Sequence, residues 1–312
     1  MGIIIGIMIF FSAGILPAAP RTDTSPRNTA EEEAPQEQPQ LSRAEQVIKA
    51  LVEAYPRIVE KAEFRDNDWA VLMRGVWYYY AEGRLLPEEH LDKTDDYSPI
   101  LFYNYPKELS AWKEPSPEQI ARFRERDNND GTGTQRRRSS YFYDGLWQAG
   151  SRAESFRRVK PVKFLGNNVT VHSEIEEVLS RVERHIMTAA KTDPLMESWV
   201  TNISEIHGWN WRDIGGGGNS RSYHAYGVAV DIIPKSLLGK ETYWYWARQK
   251  NPEWWNIPYE DRYHPPDSVI KVFESYGFVW GGKWMYMFDT IHFEYRPEVF
   301  ILSGLDLIKN ED

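Results

Sequence analysis

Two stretches of this chain put metal-binding and acid–base side chains into strands that would otherwise be plainly apolar. In SYHAYGVAVDII (222–233), Val228, Ala229 and Val230 run into Ile232 and Ile233 with Asp231 between them, and His224 stands seven residues before the aspartate. In DTIHFEY (289–295), Asp289, His292 and Glu294 interrupt a similar run. A carboxylate with apolar neighbours on both sides is costly to bury unless something charged pairs with it. An odd separation puts side chains on opposite faces of a strand, and Gly227 breaks the run. His224 is therefore expected on a turn folded back over the strand start, with Ala229 and Asp231 on one face and Val228 and Val230 on the other. The partner of Asp231 must come from elsewhere, and DTIHFEY is the best candidate. Two imidazoles and one carboxylate meeting at a point (His224, His292, Asp231) make a zinc site with one position open for water, the arrangement of catalytic zinc. Glu294 would share the face of His292 and orient that ligand. Spacing alone leaves open that Asp231 accepts backbone N–H bonds in a turn and that Glu294 faces outward. His90, His172, His185, His207 and His264 have no such context and are read as hydrogen-bonded core residues.

Other motifs carry less. RERDNNDGTGTQRRRSS (124–140) resembles a calcium loop, but placing Gly131 at the required glycine puts Arg126 and Arg137 where carboxylates are needed. Arg136, Arg137 and Arg138 read as a solvated loop face. The glycines at 215–218 lack the lysine and hydroxyl residue of a phosphate loop and are read as a mobile loop.

The elements that must position these residues follow from pattern. The 312-residue chain is 41% hydrophobic and 14% aromatic, enough for a sizeable core, and its 13 Trp and 18 Tyr are read mainly as packing. A net charge of −9 speaks against nucleic acid or an anionic membrane as partner. With no cysteine, disulfides and thiolate sites are excluded, so a metal must be held by His, Asp or Glu. Residues 1–19 are almost wholly apolar and end in small residues, as a signal peptide or an uncleaved anchor would. Either places the rest outside the cytoplasm, in the periplasm or cell envelope, with membrane attachment only if the segment is uncleaved. Residues 20–41 read as a disordered linker.

Ser42 should cap a helix through Val47, Leu51 and Tyr55, and DWAVLMRGVWYYYAEGRL is expected to be a second, so residues 42–158 are read as a mainly helical region of unknown role. A compact unit follows over 159–304, with a tail at 305–312. VKFLGNNVTVH predicts two short strands around an Asn-Asn turn. Ser173 is expected to cap a helix with Ile175, Leu179, Val182 and Ile186 on one face, and PPDSVIKVFESYGF a short helix stopped by Gly277. Strands and helices without βαβ alternation predict α+β, a small mixed or antiparallel sheet with flanking helices.

SYHAYGVAVD and WGGKWMYMFDTIHFE together resemble the zinc D-Ala-D-Ala carboxypeptidase family, which includes vancomycin-resistance-type enzymes and L-alanyl-D-glutamate endopeptidases. Its Ser-x-His-x-x-Gly-x-Ala-x-Asp motif is matched by Ser222, His224, Gly227, Ala229 and Asp231, and its acid-x-x-His motif by Asp289 and His292. The resemblance covers roughly residues 160–300. It implies a hedgehog/DD-peptidase-like fold, Zn2+ on His224, Asp231 and His292, and Asp289 as catalytic base. It also implies a substrate-contacting arginine, for which Arg212 is the nearest match and Arg221 a weaker one, with Ser222 near ligand or substrate. The implied activity is D,D-carboxypeptidase action on peptidoglycan stem peptides. An L-alanyl-D-glutamate endopeptidase and a silent zinc-containing wall-binding module are the rivals.

Overall fold

The computed structural model describes residues 41–128, 136–214 and 218–308. The segment expected as signal or anchor, the linker up to residue 40 and the end of the tail lie outside the described residues.

The four strands that matter for chemistry form one antiparallel sheet, ordered Phe278–Trp280, His292–Tyr295, Ala229–Pro234 and Ile203–His207. The two inner strands are registered so that Ala229 faces Glu294, Val230 faces Phe293 and Asp231 faces His292. Alternation then sorts the side chains. Val230, Ile232 and Phe293 point to a fully apolar core built with the helices Glu176–Ala189 and Asp267–Ser275, where Phe293 stacks on Phe273 at 4.0 Å. Asp231, His292 and Glu294 point to the other face.

The helix at Asp267–Ser275 forms as expected and ends before Gly277 at φ 86°. Ile175, Leu179, Val182 and Ile186 are buried along one face of the next predicted helix, but Ser173 does not cap it. Residues Ser173–Ile175 form a 3-10 turn, and the His172 ring accepts from the Glu174 N–H at 3.2 Å. The preceding hairpin pairs Val159–Phe164 with Asn167–His172, and its turn is Leu165-Gly166, not Asn-Asn. Both turn residues have positive φ, at 46° and 79°, as a two-residue hairpin requires.

The N-terminal region is mixed helix and sheet, and the second helix expected there does not form. Ser42 caps the helix Arg43–Ala54, accepting from the Glu45 N–H at 3.2 Å. The next segment is an antiparallel sheet of Val59–Arg65, Asp68–Met73, Val76–Tyr79 and Leu86–Pro87. The reason is local. Asp66-Asn67 and Arg74-Gly75 all have positive φ, which closes tight hairpins and stops a helix. The core is shared: Val47, Leu51, Val71 and Trp147 belong to the same apolar cluster as Val182, Val230 and Phe293. Residues 99–116 cross to the peptidase-like part without regular structure.

Residues 235–288, between the two motifs, build a second cluster from Trp244, Trp254, Trp255, Ile257 and Phe288, joined by Ile120 and Phe123 of the helix Pro117–Asn128. Most of its aromatics are packing, as read; Trp246 remains 53% exposed.

Candidate metal centre

His224 sits on a single helical turn, Tyr223–Tyr226, as the Gly227 break implied. Ser222 caps that turn, its hydroxyl accepting from the His224 N–H at 3.3 Å, so it positions the ligand turn. Gly227 closes the turn at φ 75°, and a Cβ there would come within 2.8 Å of the His172 nitrogen, so only glycine lets the chain reverse so close to its neighbour.

Three atoms converge: His224 Nε2 and His292 Nδ1 lie 3.1 and 2.9 Å from Asp231 Oδ1 and 3.2 Å from each other. The other ring nitrogens are engaged. His224 Nδ1 lies 2.6 Å from the Gly208 carbonyl, and His292 Nε2 lies 3.1 Å from Glu294 Oε2. A ring nitrogen held by a carbonyl or carboxylate must carry the proton, which leaves the opposite nitrogen as the lone-pair donor. The donor set therefore fits zinc. It has two neutral imidazole nitrogens and a carboxylate oxygen, all within 4.8 Å of one another, with orientation fixed from behind.

Without a cation the cluster balances its own charge. Burial opposes ionisation of Asp231, but the His224 and His292 rings outweigh it and hold the carboxyl below the usual carboxylate range. Burial would likewise push His292 down, but hydrogen bonds to Asp231 and Glu294 prevail and raise it to about 10. Glu294, disfavoured as an anion by burial, is kept below its ordinary value by His292, Arg296 and Arg138.

Asp289 lies on the loop before the His292 strand, half-buried, and its Oδ1 is buried with no hydrogen-bond partner among the described residues. Burial, reinforced by the charge of Asp231, pushes its carboxyl up to about 7, with His292 and Arg212 pulling the other way. The loop is clamped to the aromatic insertion, because Trp244 N–H donates to the Phe288 carbonyl at 2.9 Å and Thr290 N–H to Thr242 at 2.7 Å. Gly281 lets it approach: a Cβ there would sit 2.5 Å from the Asp289 carbonyl oxygen. An orphan acceptor with a raised pKa, three residues before a ligand, is suited to exchanging protons with a bound water.

The arginines divide differently from the sequence expectation. Arg212 is exposed, within electrostatic range of Asp289. Arg221 pairs with Asp144 at 2.8 Å and lies over the Trp211 ring at 4.3 Å, so its guanidinium is already engaged. Arg138, read as part of a solvated loop face, is instead half-buried. Its backbone N–H donates to Ser220 at 3.3 Å, its guanidinium interacts with Glu294 and Tyr223, and its side chain makes no hydrogen bond among the described residues. Burial lowers its pKa. No sequence signal separated Arg138 from Arg136, since its burial comes from pairing of 137–138 with Tyr97–Ser98. His207, expected in the core, is exposed and meets Glu205 at 3.1 Å, whereas His172 is buried with Nε2 2.9 Å from the Trp147 carbonyl.

Residues 215–295 match the family model described as D-alanyl-D-alanine carboxypeptidase, a span that includes both histidine motifs. Residues 47–102 match a model described as a domain of unknown function. No curated protein and no solved structure matches the chain. The likeness read from the two motifs is thus supported over the segment that carries the metal cluster and Asp289.

Proposed function

We propose that this protein is an exported zinc peptidase that hydrolyses peptidoglycan stem peptides as a D-alanyl-D-alanine carboxypeptidase, on a hedgehog/DD-peptidase-like fold. The observation that carries the reading is the convergence of His224, Asp231 and His292 near Asp289, whose buried Oδ1 has no hydrogen-bond partner among the described residues, within a segment matching that family. Zinc, when bound, supplies Lewis acidity that makes a water easier to deprotonate and a carbonyl easier to attack. The remaining steps belong to side chains. Asp289 takes the proton from the attacking water and returns it to the departing amine, a role suited to a carboxyl whose pKa lies near neutrality. Glu294 and the Gly208 carbonyl keep the imidazoles aimed. Arg212 is exposed and within electrostatic range of Asp289, where it can meet an oxyanion or a carboxylate. Arg138, half-buried near Glu294 with no side-chain hydrogen bond among the described residues, has donors left for a free substrate carboxylate.

Incubating the purified protein with muropeptides, with and without a chelator, and identifying products by mass tests this directly. Loss of a terminal D-alanine, abolished by chelation, is expected. Cleavage at L-alanyl-D-glutamate would move the assignment to the endopeptidase. No product from metal-replete protein would leave only a binding role. Export rests on reading the apolar residues 1–19 as a signal peptide or anchor, and cell fractionation tests that part.

A further inference from the structure

Residues 41–158 lie outside the span matched to the peptidase family, yet they touch its centre through a buried chain of charges. Behind His292, Glu294 Oε1 stands 3.6 Å from Arg296 Nη1. Arg296 Nε donates to Glu298 Oε1 at 2.9 Å. Glu298 then accepts the Tyr143 hydroxyl at 3.0 Å on that oxygen and the Tyr55 hydroxyl at 2.7 Å on the other. Arg296 Nη2 donates to the Leu101 carbonyl at 2.9 Å and lies 3.3 Å from the Tyr143 hydroxyl. Tyr55, Tyr143, Glu294, Arg296 and Glu298 are each no more than 5% exposed.

The geometry decides which group controls which. Two groups lie within ion-pair distance of Glu294, the His292 ring and the Arg296 guanidinium. A guanidinium free to move would draw both carboxylate oxygens into a bidentate pair and take Glu294 off the ring. Arg296 cannot move, because its other donors are committed to Glu298 and Leu101. Glu298 is fixed in turn by two phenols. Three of these anchors, Tyr55, Leu101 and Tyr143, come from the N-terminal region. The same region reaches the centre a second way: Tyr103 accepts from Trp284 Nε1 at 2.9 Å, and the Trp284 ring lies 5.7 Å from His292.

We propose that residues 41–158 act as a built-in buttress of the metal centre, with Tyr55, Tyr143, Glu298 and Arg296 as positioning residues that hold Glu294 on His292. This rests on His224, Asp231 and His292 being a zinc site. On this reading the two parts must fold together for the ligand to point correctly.

The test uses the full chain carrying Tyr55→Phe and Tyr143→Phe, which removes both hydroxyls from Glu298 and leaves the packing volume unchanged. Zinc affinity should fall about tenfold, the lower end of what changes behind a ligand cost. The visible spectrum of the cobalt-substituted protein should shift, and in metal-free protein the His292 ring nitrogen signals in long-range proton–nitrogen spectra should move. Val71→Ala, a core change in the N-terminal sheet away from this chain, should leave the cobalt spectrum and the ring signals as in the parent. Parental affinity, cobalt spectrum and ring signals in the double variant would overturn the buttress. If the parent takes up no zinc but its ring signals still shift in the variant, the buttress stands and the zinc reading fails. Should the double variant not fold, Tyr55→Phe alone should move the ring signals in the same direction by less, and no movement would overturn the proposal.

Discussion

Zinc affinity should keep rising with pH well above the range in which an ordinary histidine titrates, because His292 must surrender a proton to become a ligand. In the metal-free centre its ring sits between Asp231 Oδ1 at 2.9 Å and Glu294 Oε2 at 3.1 Å, and the two carboxylates raise it to about 10. At pH 7 the ring is then protonated roughly a thousandfold over, and displacing that proton opposes metal binding by about 4 kcal/mol. The sign follows from the raised value. His292 contributes to metal-free stability fully below its unfolded pKa of about 6.5, and that contribution is lost as the pH rises through about 10. The apparent logarithm of the zinc constant should climb by about one per pH unit between roughly 7 and 9, where an unperturbed histidine would have levelled off near 7.5. Competition against a chromophoric chelator gives the constant at each pH, and calorimetry in buffers of different ionisation heat counts the protons released. In Glu294→Gln the ring loses one of its two carboxylates, so the levelling should move to lower pH while the limiting affinity falls; this separates the His292 proton from any other released on binding. An affinity already flat by pH 7.5, with no difference between parent and Glu294→Gln, would refute the reasoning.

Other outcomes follow from the same geometry. Asp289→Asn keeps the shape but cannot take a proton, so zinc content should match the parent while turnover on muropeptides falls about a hundredfold or more; parental turnover in zinc-replete protein would remove Asp289 as the base. Arg138→Gln should leave zinc content unchanged and raise KM by about tenfold for peptides with a free terminal carboxylate, with little effect on amidated ones; equal effects on both would exclude carboxylate recognition. Gly281→Ala places a Cβ 2.5 Å from the Asp289 carbonyl oxygen, so it should destabilise by about 1–3 kcal/mol and lower kcat more than zinc affinity, measured by denaturant melts and kinetics.

How far the sequence could be read depended on whether one element or several decided a residue's place. Asp231 and His292 were legible because each is a polar insertion in a period-two apolar run, and the sheet makes them cross-strand partners. The Ser42 cap and the Gly277 stop were legible because capping is local. The strands at Asp68–Met73 and Val76–Tyr79 are not legible from apolar and aromatic density, which fits a helix as well. The usable signal was the pair of two-residue turns, Asp66-Asn67 and Arg74-Gly75. Ser173 lost its capping role to His172, whose ring reached the open N–H first. The surroundings of Arg138 and Arg221 were not legible because they are set by strand pairing and by Asp144, distant in sequence. The charge chain did leave a trace: HFEYRPE alternates His292, Glu294, Arg296 and Glu298, a pattern that asks for buried partners on one face.

The proposed ligands and the proposed base stand on structure of different kinds, and this predicts how they respond to change. Asp231 and His292 are opposed in an inner strand pair, and His224 hangs on a capped turn. Their separation is fixed by backbone hydrogen bonds and by a core on the opposite face. Asp289 is on a loop whose position depends on the aromatic insertion, through Trp244 to Phe288 and Thr242 to Thr290. A site built on strands is held more tightly than one built on loops. Changes in the insertion should therefore displace the proton acceptor while the metal stays bound, and changes along the Glu294–Arg296–Glu298 chain should loosen the metal while the Asp289 loop stays in place. Metal affinity and turnover would then be governed from different parts of the chain: the first from the N-terminal region, the second from the segment between the two motifs.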